Sequence, residues 1–151
     1  MRAIAIAFGA NLGDRRGAIL DAATHVGRFL QHFTLSSIIE TAPVGDGLEN
    51  DPAYLNAVGV GESDLPAREI FDRLRAIERE AGRQRPYPGA PRMLDLDLIL
   101  VGTEVIDKDD LQVPHPRFRE RLFVLEPLCE IAPDLIDPLT GLSMRELRER
   151  L

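Results

Sequence analysis

Residues 92 to 97, Arg-Met-Leu-Asp-Leu-Asp, carry the clearest chemical potential in this chain. In an extended strand side chains alternate between faces, so Asp95 and Asp97 share one face while Leu94, Leu96, Leu98 and Leu100 take the other. The leucine face predicts core. The opposite face carries two carboxylates about 7 Å apart along the strand. Like charges that close raise each other's pKa unless a cation lies between them, and hard oxygen donors select Mg²⁺ over Zn²⁺. On its own, an Asp-x-Asp pair also fits a plain solvated sheet face. Its neighbours alter the balance: Arg83 and Arg85 lie in a Gly/Pro-rich segment, 82–91, poorly suited to regular structure, and Arg92 follows it directly. Carboxylates to hold metal and arginines on an irregular arm are the parts that clamp a polyphosphate.

A second cluster is Pro114-His115-Pro116-Arg117-Phe118-Arg119-Glu120-Arg121, a histidine between two prolines followed by three arginines. Proline fixes φ and stiffens the backbone, which holds a side chain without help from helix or sheet. The loop reads either as phosphate-facing or as ordinary exposed chain. Tyr54 and Asn56 share a strand face opposite Leu55, and an aromatic beside a carboxamide can stack on and hydrogen-bond a flat heterocycle. A half-exposed sheet accounts for them equally. Phe123 fits either the other side of such a sandwich or the core. Glu78 stands at the border of a helical apolar stripe, three residues from Arg75, the spacing of a surface ion pair. His25 and His32 read as solvated or packing residues. The Gly9–Asp14 turn is no Walker loop, because no Gly-Lys-Ser/Thr follows.

The elements that must position these groups follow from the apolar periods. Residues 2–8 predict a strand, and Ile19, Ala23, Val26, Leu30 and Phe33 predict a helix over about 15–31. Strands follow at 34–42 and 54–61, paired most economically as a hairpin around the 43–52 loop. Pro66 opens a second helix with Ile70, Leu74, Ile77 and Ala81 on its core face, stopped by Gly82. The strand at 94–101 completes β-α-β-β-α-β, the split βαβ order of ferredoxin-like α+β folds with an antiparallel sheet. Extra C-terminal helices follow, near 123–132 and from Ser143, after a loop at 108–116.

At 151 residues the chain predicts one domain, residues 1–151. Its 44% hydrophobic and 28% charged residues are ordinary for a soluble protein. A net charge of −7 argues against a general binder of nucleic acid or anionic membrane. Lys108 is the only lysine, so any cationic site is built from guanidinium forks suited to phosphate oxygens. The single cysteine, Cys129, excludes an internal disulfide and a cysteine zinc cage, and its apolar neighbours predict an inert thiol. The N-terminus lacks the apolar run of a signal peptide, and no stretch has transmembrane length, so a cytoplasmic protein is expected.

Taken together, the segments Gly9-Ala10-Asn11-Leu12-Gly13, Tyr54-Leu55-Asn56-Ala57, Gly82-Arg83, Pro91 to Asp97, Val113 to Arg117, Arg121 to Leu125 and Pro127 to Pro133 resemble the 6-hydroxymethyl-7,8-dihydropterin pyrophosphokinase family of folate biosynthesis. They run in the family's order over nearly the whole chain. The resemblance implies a ferredoxin-like fold and transfer of the pyrophosphoryl group of ATP to the pterin's hydroxymethyl oxygen, releasing AMP. It implies that Asp95 and Asp97 hold two Mg²⁺ ions, with Asp95 also beside the pterin, and that Arg83 and Arg92 are the catalytic arginines, also reaching ATP. His115 and Arg121 would meet the nucleotide phosphates, Glu78 its side of the site, and Leu98 and Gln112 the adenosine. Tyr54 and Phe123 would sandwich the pterin, with Asn56 and backbone groups near Thr41, Ala42 and Val44 reading its edge. A monomer acting on small molecules is expected. A metal-dependent phosphohydrolase would use the same aspartates without an acceptor pocket, and an RNA-binding module of this fold would need a basic sheet. Departures from the family pattern are Ala10 for the usual serine, an arm without tryptophan and a residue shorter than in some relatives, in which Tyr87 is the aromatic and Gly89 occupies the aligned spot, and Arg75 where glutamine is often seen.

Overall fold

The computed structural model describes residues 1–41, 53–82 and 94–151. The expectations for Ala42, Val44, Arg83, Arg85, Tyr87, Gly89 and Arg92 lie outside those residues.

The N-terminal apolar run forms β1 (Arg2–Ala10), flanked on both sides by antiparallel partners, β4 (Tyr54–Ser63) and β5 (Asp95–Val101). Two short strands, β2 (Gln31–Leu35) and β3 (Ile39–Thr41), pair in succession with the far edge of β4, giving the order β2-β4-β1-β5 with β3 beside β4. Helix α1 (Arg15–Val26) joins β1 to β2, and α2 (Ala67–Gly82) joins β4 to β5. With β2 and β3 counted as one interrupted strand, this is the ferredoxin-like α+β topology that the sequence pattern predicts.

Both faces of the sheet are covered. Ile4, Ile6 and Phe8 pack with Ile19 and Val26 of α1 and Ile70 and Leu74 of α2. Ala5, Ala7 and Val58 pack on the other side with Phe118, Val124, Leu125 and Leu128, and with Met144 and Leu147. These come from a short 3-10 turn (Phe118–Glu120), α3 (Leu122–Ile131) and α4 (Met144–Glu149). Burial on two faces is why β1 is apolar throughout rather than alternating. Gly59 lies where chain and ring come closest: a Cβ there would stand 2.4 Å from the Phe33 ring, which meets Phe8 edge-on at 6.4 Å between centroids.

Four details depart from the sequence pattern. The first helix ends at Val26, capped at Gly27, although Leu30 keeps its buried place through a turn bond from its N–H to Val26 O at 3.1 Å. The predicted 34–42 strand begins earlier and breaks at Ser36. Its N–H donates to Val58 O at 2.8 Å and its Oγ accepts from Val58 N–H at 2.9 Å, so a hydroxyl enters the ladder and the register slips by one residue. Two two-residue strands, β6 (Ile106–Asp107) and β7 (Gln112–Val113), pair within the stretch expected as loop; they are too short to show a period.

The fourth concerns β5. Ile6 pairs with Leu98 but Ala5 pairs with Leu100, so Ile99 is an additional residue and the strand bulges there. Leu94, Leu96 and Leu98 keep the face expected of them, toward α1 and α2. Leu100 does not: it packs with Ile99 on the α3 side. Asp95 and Asp97 precede the bulge and so escape the change of phase.

Candidate functional site

Alternation along β5 directs Asp95 and Asp97 away from the leucines, toward the side of the sheet where α3 begins. There a cavity of about 730 Å³ opens. β5 supplies both aspartates, β4 supplies Tyr54 and Asn56, β3 supplies Thr41, and the chain entering α3 supplies Arg117, Arg121, Phe123 and Val124. Gly9, without a side chain, forms part of the floor. Its volume is in the usual range for a small-molecule site. Five separated stretches converge here, bringing together Thr41, Tyr54, Asn56, Asp95, Asp97, Arg121 and Phe123 of the residues singled out above.

Asn56 is buried, and its Nδ2 donates to Thr41 Oγ1 at 2.7 Å. That bond fixes the amide's orientation and leaves its other polar edges for a ligand. Phe123 is 37% exposed, an unusual position for a large aromatic, with the Arg121 guanidinium 5.7 Å from its ring centroid. Tyr54 and Phe123 thus approach one cavity from two different elements.

A second cleft, about 290 Å³, lies along the outer side of β5. Leu98, Gln112 and His115 line it with Phe71, Arg75 and the acidic turn at Asp109 and Asp110. Asp97 lines both cavities, and so stands where they meet.

His115 is held by its own backbone, with its N–H on Ile99 O at 2.9 Å. Its Nδ1 accepts from the Arg117 N–H at 3.2 Å, which assigns the ring proton to Nε2. Burial pushes the imidazole below its ordinary pKa; Asp97 opposes this and Arg121 and Arg117 reinforce it. The ring is therefore a neutral N–H donor at neutral pH.

Arg121 lines the larger cavity, with Asp97. Glu78 lines neither. Its carboxylate is 10% exposed and accepts from the Leu96 N–H at 2.7 Å while pairing with Arg75 Nη1 at 2.7 Å. Ala10 is a core residue at 2% exposure. Cys129 is half-buried and its thiol is pushed up by burial, which suits the inert reading.

Sequence reasoning missed Asp137. It is fully buried and binds Arg119 through both oxygens, Nε to Oδ2 at 2.5 Å and Nη2 to Oδ1 at 2.9 Å. The Leu139 N–H and Thr140 Oγ1 complete its shell at 3.1 and 2.8 Å. This anchors the arginine-bearing turn between His115 and Arg121 to the C-terminal segment. The Asp-Pro-Leu-Thr-Gly run at 137–141 was the available signal, since Asp bonded to the N–H two residues on marks an Asx turn.

Among the described residues no three His, Cys, Asp or Glu side chains converge as a metal cage. Two carboxylates with open space beside them are the donor set Mg²⁺ accepts, because it completes its shell with water and phosphate oxygens. Among the same residues no helix is long and apolar enough to cross a membrane.

Residues 5–133 match the family model described as 7,8-dihydro-6-hydroxymethylpterin-pyrophosphokinase (HPPK). The 2-amino-4-hydroxy-6-hydroxymethyldihydropteridine pyrophosphokinase of Aquifex aeolicus is 32% identical over 98% of this chain and 91% of its own length. That of Bacillus subtilis is 41% identical over 83% of this chain and 75% of its own. The folic acid synthesis protein fol1 of Pneumocystis carinii is 36% identical over 99% of this chain, which spans only 20% of that protein. The crystal structure of Plasmodium falciparum HPPK-DHPS superposes with a TM-score of 0.74 at 12% identity, covering 98% of this chain and 44% of that one; this likeness concerns the fold.

Proposed function

Because the chain belongs to the HPPK family, transferases of folate biosynthesis that use ATP, we propose that its two cavities divide the substrates of that reaction between them at Asp97. The reaction moves the pyrophosphoryl group of ATP to the hydroxymethyl oxygen of 6-hydroxymethyl-7,8-dihydropterin and releases AMP. The larger cavity takes the pterin, stacked between Tyr54 and Phe123, with Asn56, oriented by Thr41, and backbone groups about Thr41, Ala42 and Val44 at its polar edge. The smaller cleft takes the nucleotide, with Leu98 and Gln112 beside the adenosine and His115 Nε2–H on a phosphate oxygen. The observation that carries this is the position of Asp97 in the lining of both.

The hydroxymethyl oxygen bonds to the β-phosphorus, the bond from that phosphorus to the oxygen bridging it to the α-phosphate breaks, and AMP leaves with the bridging oxygen. The hydroxyl proton passes to solvent. A neutral alcohol attacks a polyanion, so placement and charge neutralisation matter more than a strong base. Asp95 and Asp97 are the residues that would hold two Mg²⁺ ions, which when bound neutralise the triphosphate. Arg121, with Arg117 beside it, meets the nucleotide phosphates at the junction, where positive charge attracts the transferred group. Arg83 and Arg92 remain the proposed catalytic arginines, and Glu78 acts on the nucleotide side through the strand it holds. The chain acts in this reading as a single-domain monomer.

Incubation with ATP, Mg²⁺ and the pterin should give AMP only when the pterin is present, read by chromatography. ADP or free pyrophosphate formed without pterin dependence would make this a hydrolase. Tyr54→Ala should weaken pterin binding about fivefold or more while leaving ATP binding within about twofold, because stacking of this kind contributes about 1 kcal/mol or more. Equal losses for both ligands in calorimetry would remove Tyr54 from the sandwich.

A further inference from the structure

β5 ends its side of the sheet among the described strands, so no neighbouring strand receives the outward backbone groups of Leu96. Two side chains of α2 receive them. Glu78 Oε2 accepts the Leu96 N–H at 2.7 Å, Arg75 Nη2 donates to the Leu96 C=O, and Arg75 Nη1 closes the ring on Glu78 Oε1 at 2.7 Å. The guanidinium carbon lies 4.9 Å from the Phe71 ring centroid, which holds its plane. Its Nε is buried without a hydrogen-bond partner, a cost that an alkyl side chain would avoid. Leu96 is the residue between Asp95 and Asp97.

We propose that Arg75 and Glu78 are positioning residues: by gripping both polar groups of Leu96 they set the direction in which the flanking aspartates present their carboxylates. The proposal rests on the reading that Asp95 and Asp97 hold Mg²⁺. A strand edge gripped by only one residue can still rock about that bond; gripped at N–H and C=O together, it cannot. Arginine suits the task because its planar fork reaches the carbonyl and the carboxylate at once, which a lysine ammonium does less well.

The test uses the full chain with Arg75→Met, Arg75→Gln and Glu78→Ala. In metal-free protein, Glu78→Ala should speed hydrogen exchange of the Leu96 N–H about tenfold or more relative to its β5 neighbours. Arg75→Met and Glu78→Ala should each raise the Mg²⁺ concentration needed for half-maximal binding of a non-hydrolysable ATP analogue by about tenfold. kcat should fall with them while KM for the pterin stays put, and Arg75→Lys should recover part of the loss. If Arg75→Met unfolds the protein, Arg75→Gln carries the test and should show a smaller shift in the same direction. Wild-type metal midpoints in the folded variants would overturn the proposal, as would a raised KM for ATP alone, which makes Arg75 a nucleotide contact. The metal reading is separated by Asp97→Ala: unchanged metal dependence there defeats that reading, whereas its loss beside unaffected Arg75 variants defeats only the grip.

Discussion

Asp97→Ala is expected to lose at least about a hundredfold in pyrophosphoryl transfer, roughly 3 kcal/mol of barrier, while melting within a few degrees of the wild type. The reasoning starts from its position. Asp97 pairs with Ala7 across the sheet, so its backbone belongs to the ladder and is unaffected by the change. Its side chain lines both cavities rather than the core, so no buried contact is lost. Removing one of two neighbouring like charges also relieves repulsion. What disappears is one of two anionic donors for Mg²⁺, and with it the neutralisation of the triphosphate. Asp97→Asn separates charge from shape: it keeps the volume and the hydrogen-bonding oxygen and should fall nearly as far. The check is kcat over a Mg²⁺ titration together with thermal unfolding. Wild-type turnover in the folded alanine variant would overturn the metal assignment.

Asp137→Ala should act in the opposite way, on stability first. The carboxylate is fully buried with four hydrogen bonds, two of them from Arg119. Losing it strands the guanidinium of a residue whose side chain is only 22% exposed. Breaking a buried pair of this kind costs about 3 kcal/mol, which for a chain of this size lowers Tm by about 6–12 °C. Burial pushes the Asp137 pKa up, but bonds from Arg119, Thr140 and Leu139 outweigh it and the carboxyl sits below its ordinary value. A depressed folded-state value means the contribution is fully present above the ordinary carboxylate range and is lost as pH falls through the folded value. Wild type and variant should therefore differ most near neutrality and converge in strong acid. Denaturant midpoints measured across pH check this; a constant gap at every pH would show that the charge is not what stabilises.

The contrast between these two aspartates explains what could be read without coordinates. Asp95 and Asp97 were legible because the two-residue period of a strand is local, and no partner is needed to see that they share a face. Leu100 was misread for the complementary reason: its face is set by a bulge, and a bulge is a property of two strands. The C-terminal end of α1 and the break at Ser36 are likewise decided by what packs opposite, since Leu30 continues the helical period while sitting in a turn. Asp137 was invisible because its partner is 18 residues away and both lie in stretches that read as loop. The role of Arg121 came from resemblance alone, because the cavity it lines is a matter of tertiary packing that spacing does not contain.

The grip on Leu96 also bears on solubility. Among the described strands Asp-Leu-Asp-Leu-Ile-Leu-Val is an apolar strand at the end of the sheet, the kind of edge that recruits a second chain by backbone pairing. Here the edge is already occupied: Arg75 and Glu78 hold the polar groups of Leu96, and the His115 N–H holds the carbonyl of Ile99. An incoming strand would have to displace an ion pair and a stiff proline-flanked loop before it could form its own ladder. The two aspartates add negative charge along one face of that edge, so a second copy meets repulsion as well. The arrangement that orients the acidic pair thus also keeps the sheet from growing.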